Sequence, residues 1–131
     1  MTTVRPKIPR PTDAELEILR VLWDREEATV RDVHDAIDAK RPTGYTTVLK
    51  QLQIMTEKGL VRRDASERAH VYKARLAREE TEKQLVGDLL DRAFGGSASR
   101  LVLHALASKP ASKEEIAQIR KLLETAEEER K

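Results

Sequence analysis

The stretch from Thr43 to Arg75 constrains the fold more than any other part of the chain, because two different periodicities meet there across a single glycine. Residues 43–58 repeat with the 3.6 period of a helix: Val48, Leu52 and Met55 fall on one stripe, while Thr46, Lys50, Gln53 and Glu57 fall on the opposite face. Gly59 supplies the left-handed position that commonly ends a helix, and Leu60 and Val61 continue the apolar surface beyond it. Leu60–Asp64 and His70–Arg75 then read as strands flanking the polar tip 65–69, a hairpin with a longer loop than a two-residue turn. A chain containing this stretch is expected to present a helix and a basic β-wing side by side.

Charge distribution sharpens that expectation. The whole chain carries a formal charge of only +2, but between Lys40 and Arg75 nine bases (40, 41, 50, 58, 62, 63, 68, 73 and 75) face three acids (57, 64 and 67). Leu76 to Lys131 is nearly balanced, with ten bases and eleven acids. The excess positive charge therefore lies on the helix and hairpin, where a phosphate backbone would be met. With few glycines, few prolines and little aromatic mass among 131 residues, stability must come from aliphatic helix packing.

The elements before this stretch complete a helical domain. Met1–Pro11 contains three prolines with Arg5, Lys7 and Arg10, and reads as a flexible basic arm. Thr12 and Glu15 form a capping-box pattern opening a first helix to about Trp23, expected to bury Leu16, Leu19, Val21, Leu22 and Trp23. Residues 24–28 read as an acidic turn. Thr29 then caps a second helix with Val30, Val33, Ala36 and Ile37 inward, closed by Lys40-Arg41-Pro42. Three short helices followed by a basic hairpin match a winged helix-turn-helix over residues 12–75, in which the third helix enters the major groove. Lys58, Arg62, Arg63, Arg68 and Lys73 are placed to neutralise phosphates, and Tyr45, Thr46, Thr47, Lys50 and Gln53 to touch base edges or flanking phosphates.

Residues 76–131 read as a helical dimerisation region. A long amphipathic helix over 77–94 is followed by Gly95-Gly96, by a helix from Ser97 that is apolar almost all round, and by a helix opened by the Ser112/Glu115 capping box. Leu85, Leu89, Phe94, Leu101, Leu103, Leu106, Ile116, Ile119 and Leu123 form an apolar surplus most simply buried against a second copy.

Catalytic chemistry finds no constellation. His34, His70 and His104 lie in different elements without metal-ligand spacing, and cysteine is absent, which removes disulfides and thiolate sites. His34 reads as a helix-surface residue. The acidic pairs sit mostly at helix starts, where the macrodipole favours them. No cofactor, metal or enzymatic activity is expected. No apolar run approaches the roughly 18 residues of a membrane span, and nothing near Met1 resembles a signal segment, so a cytoplasmic protein without membrane insertion is expected.

Several stretches taken together resemble one family. The run Pro11-Thr-Asp-Ala-Glu-Leu-Glu-Ile-Leu-Arg-Val-Leu-Trp23, Thr29–His34, Gly44-Tyr-Thr-Thr-Val48, Glu57-Lys-Gly-Leu-Val61 and Arg68-Ala-His-Val-Tyr72 is similar to the penicillinase-repressor (BlaI/MecI/CopY) family, and the likeness extends to Leu101-Val-Leu103 and Glu115-Ile116. The resemblance implies a homodimeric winged-helix repressor that binds a palindromic double-stranded DNA operator through its third helix and wing. It also implies a membrane sensor protease as a partner in the β-lactam-responsive members. This chain departs from the pattern at Ile54, where members often carry arginine, and at His104-Ala105, which stands where those members carry the cleaved Asn-Phe bond. The copper-responsive branch uses a cysteine motif that is lacking here. The alternative is a winged-helix module that docks protein rather than DNA.

Overall fold

The computed structural model of the protein describes residues 9–66 and 68–130, in two compact units that divide at Val86/Gly87. The expected arm falls mostly outside the described residues, and Pro11 is already buried.

The first unit is a winged helix. Its elements are α1 (Asp13–Arg25), β1 (Ala28–Thr29), α2 (Val30–Asp38), α3 (Tyr45–Lys58), β2 (Val61–Asp64), β3 (Val71–Ala74) and the first half of α4 (Arg78–Ala93). The expected Thr12/Glu15 capping box forms, and the expected Thr29 cap is completed into a second box by Asp32. The Thr12 hydroxyl accepts from Glu15 N at 3.2 Å while Glu15 Oε1 accepts from Thr12 N, and Thr29 and Asp32 repeat the exchange at the start of α2. The Thr29 bonds, backbone first, hold the Asp32 carboxyl below its usual range.

α1 buries a narrower stripe than expected: Ile18, Leu19 and Leu22 are buried together with Glu15, whereas Leu16, Val21 and Trp23 are only half-buried. A helix can turn only one 3.6-period face to the core, and positions 15, 18, 19 and 22 share it. Trp23 is nonetheless an anchor, packing on the core edge and donating its indole N–H to the Leu76 carbonyl at 2.9 Å. Val48, Leu52 and Met55 of α3 close the core, stabilising it by roughly 6 kcal/mol, about 2 per buried side chain. Gly59 ends α3 in the left-handed region at φ 83°, and Leu60 and Val61 carry the core into the wing.

The acidic turn expected before α2 hides a strand. Ala28 pairs with Tyr72 and Thr29 with Val71, so the sheet has three antiparallel strands in the order β1-β3-β2. α1 enters this strand through Glu26, a non-glycine residue at φ 69° that sends no stop signal from sequence. Tyr72, on the central strand, is almost fully buried beneath the helices.

The second unit holds the rest of α4, α5 (Ala98–Ser108) and α6 (Lys113–Glu129). Gly95 and Gly96 break the chain with positive φ, Ser97 caps α5, and the Ser112/Glu115 box opens α6. The Phe94 and His104 rings approach to 5.8 Å, and Arg100 donates to the Phe94 carbonyl. The nearly all-round apolar surface of α5 stays uncovered among the described residues: neither α5 nor α6 has a buried residue. Leu103 is 63% exposed, Leu122 68% and Leu123 57%.

Candidate nucleic-acid interface

α3 separates its two faces as its period requires. Thr46, Thr47, Lys50 and Gln53 are exposed while Val48, Leu52 and Met55 face inward, and Ile54 is half-buried at the border between them. Its first turn begins at Gly44, which has no side chain to cap the leading N–H groups, at the end of the helix whose dipole attracts anions. Tyr45 lies against its neighbours and still shows 40% of its surface: its ring meets His34 edge-on at 5.9 Å, and the Arg31 guanidinium stands 5.2 Å from its centroid.

The wing concentrates like charge. Register puts Arg62 directly opposite Lys73 and Arg63 opposite Tyr72. Like charges across a strand pair are unfavourable in isolation, and Glu27 relieves this pair through an ion pair with Lys73 at 3.5 Å. Arg62, Arg63, Lys73, Asp64 and Ala65 line an open depression of about 300 Å³. Asp64 stays anionic at the strand end, where bonds from Ser66 lower its carboxyl below the usual range. A second cleft, of about 420 Å³, opens between α2, α3 and the wing, with Arg31, Tyr45, Arg68 and His70 among its lining residues. Lys50, Arg62, Arg63 and Arg68 form no ion pair among the described residues.

Not every candidate stands on this face. Lys58 ends α3 about 20 Å along the helix from Tyr45, and its Nζ is 2.9 Å from Oε2 of buried Glu15. Burial would raise the Glu15 carboxyl, but the Thr12 backbone bond and the Lys58 ammonium outweigh it and hold the group below 4.5. His34 is likewise not the surface residue expected. Its ring is half-buried, with Nε2 2.8 Å from the Thr43 carbonyl and Nδ1 3.0 Å from Asp35. Arg31, exposed in the first turn of α2 and one helical turn before His34, also stands beside these residues, over the Tyr45 ring, although sequence reading does not single it out.

Among the described residues no group of histidines and acids could hold a metal, and no helix is long and apolar enough to cross a membrane. The profile described as penicillinase repressor matches residues 11–125. A transcriptional regulator BlaI of Mycobacterium tuberculosis is 38% identical over 75% of this chain and 72% of its own. A penicillinase repressor of Bacillus licheniformis is 25% identical over 90% and 92%. Among solved structures, the monomeric form of Bacillus licheniformis BlaI in complex with the blaP half-operator shares the fold at a TM-score of 0.50, with 24% identity over 56% of this chain and 90% of that one.

Proposed function

The chain belongs to the penicillinase repressor family, and on that premise we propose that it is a DNA-binding transcriptional repressor acting as a homodimer on a two-fold-symmetric operator. The observation that carries the DNA reading is the exposure of Lys50 on α3 together with Arg62, Arg63 and Arg68 on the wing, all engaged by no described acid. Relatives named as transcriptional regulator and penicillinase repressor support repression as the outcome. In this reading Arg62, Arg63, Arg68 and Lys73 meet phosphates, as Arg31 does from α2. Tyr45, Thr46, Thr47, Lys50 and Gln53 present α3 to the major groove. Lys58 serves mainly to hold α3 on α1. A protein-docking module is not favoured, because among the described residues of this face Tyr45 alone is a large exposed apolar side chain, short of the aliphatic and aromatic core such a surface carries.

The test is titration of the full chain against duplexes from its own promoter and against scrambled duplexes at several salt concentrations. A preference of roughly a thousandfold and a steep salt slope are expected. Equal affinity for both duplexes would remove sequence-specific repression. Lys50→Ala is expected to cost about 1–3 kcal/mol on the promoter duplex and little on scrambled DNA, because a base-edge contact is lost while phosphate contacts remain.

The second unit supports the dimer. Leu89, Val102, Leu103, Leu106, Leu122 and Leu123 are exposed in a single chain, an apolar area that a second copy would remove from water. Phe94, Leu101, Ile116 and Ile119 in this unit, and Leu85 on the first unit's part of α4, are half-buried and complete the proposed interface. Sedimentation of the wild type at micromolar concentration should give a dimer, and Leu122→Asp with Leu123→Asp should give a folded monomer. A monomeric wild type would end this part of the reading.

A further inference from the structure

His34 is absorbed neither by the core nor by the basic face, yet it joins them. Its Nε2 contacts the Thr43 carbonyl at 2.8 Å and its Nδ1 contacts Asp35 Oδ1 at 3.0 Å. A neutral imidazole has a single N–H, which goes to the Asp35 carboxylate as the stronger, charge-assisted acceptor and leaves the Nε2 lone pair against the Thr43 carbonyl; the imidazolium donates to both. Thr43 is the last residue before the uncapped start of α3, and it is held from three sides: its N–H donates to Asp38, its hydroxyl to the Arg41 carbonyl, and its own carbonyl accepts from His34. The charged groups around the ring are Asp35 and Asp38 on its own helix and, beyond the Tyr45 ring on α3, the Arg31 guanidinium. Arg41, in the intervening loop, is turned to Glu17.

Resting on the DNA-binding reading above, we propose that His34 is a positioning residue for α3: its imidazolium ties Thr43 to α2, sets the turn that carries Tyr45, Thr46 and Thr47 at the angle that meets DNA, and releases that turn on deprotonation. The Asp35 bond, with the Thr43 carbonyl and Asp38 assisting, raises the His34 pKa above 6.5. A raised folded-state value means the tie is complete below pH 6.5 and is lost as pH rises through the higher value. Operator affinity then falls as the medium turns alkaline.

The test has two arms on the full chain. In the free protein, NMR titration should show the Gly44 and Tyr45 amide signals moving with the same midpoint as the His34 ring. With promoter DNA, wild-type affinity should fall about fivefold between pH 6 and 8.5, the low end of ordinary coupling between sites. His34→Gln keeps an N–H for Thr43 without titrating, so it should retain affinity with a flatter profile, and His34→Ala should bind weakly throughout. At pH 6 the wild type and His34→Gln should share one salt slope; a wild-type slope steeper by about one would make His34 a phosphate contact instead. Amide signals that ignore the ring titration, or a His34→Gln profile as steep as wild type, would overturn the proposal. If no duplex is bound at all, the DNA reading fails, while the NMR arm still decides the tie.

Discussion

Replacing Lys58 with methionine is expected to destabilise the first unit by about 3 kcal/mol at pH 7, well beyond the cost of shortening an exposed lysine, because it strands a charge. Glu15 is 1% exposed and its Oε2 faces the Lys58 ammonium, so without Lys58 half of the carboxylate has neither water nor counterion. The converse change is milder. Glu15→Gln keeps an acceptor for the Thr12 N–H, and Lys58, already 36% exposed, swings into solvent; about 1 kcal/mol is expected. Denaturation followed by the fluorescence of Trp23, the single tryptophan, reads this unit directly. The pH dependence follows from the same geometry. In the wild type the Glu15 pKa is lowered on folding, so the pair stabilises the fold above about pH 4.5 and the contribution is lost as pH falls through the lower folded value. Removing Lys58 takes away its hydrogen bond and its charge, both of which lower that pKa, and so raises it above the wild-type position. The gap between wild type and Lys58→Met should therefore close on acidification. Equal losses for both variants at pH 7, or a gap independent of pH, would mean that the ion pair does not hold α3 to α1.

The second large effect concerns the wing. Arg62→Ala combined with Arg63→Ala should weaken binding to promoter and scrambled duplexes alike and reduce the salt slope by about 2, since each phosphate contact contributes about 0.9. At moderate salt this is expected to be a loss of about tenfold or more, with little change in stability, because both side chains are exposed and unpaired among the described residues. Loss on the promoter alone, with the salt slope unchanged, would instead assign the two arginines to base reading.

Much of the fold was legible because its signals are local. Thr12/Glu15, Thr29/Asp32 and Ser112/Glu115 each announce a helix start within four residues, and Gly59 announces a stop. The exposed row Thr46, Lys50 and Gln53 followed from the 3.6 period alone. β1 was illegible because two residues have no period; only pairing with Val71 and Tyr72, more than forty residues away, makes Ala28 and Thr29 a strand. The end of α1 was equally silent, since Glu26 takes a backbone conformation usually left to glycine.

The candidate site divides along the same line. Composition and periodicity by themselves determined that positive charge gathers on one helix and one hairpin, and that residues 85–123 carry more apolar surface than they can bury. Those properties sum over neighbours in sequence, so a sequence contains them. Tertiary structure alone decided how each base is engaged: Lys58 is drawn to buried Glu15 across 43 residues, Lys73 shares an exposed ion pair with Glu27, and Arg62, Arg63 and Arg68 form no such pair with a described residue. It alone turned His34 from a surface residue into the tie on Thr43. A charge pair or a hydrogen bond depends on separations of a few ångströms between residues distant in the chain, and no local pattern encodes that distance.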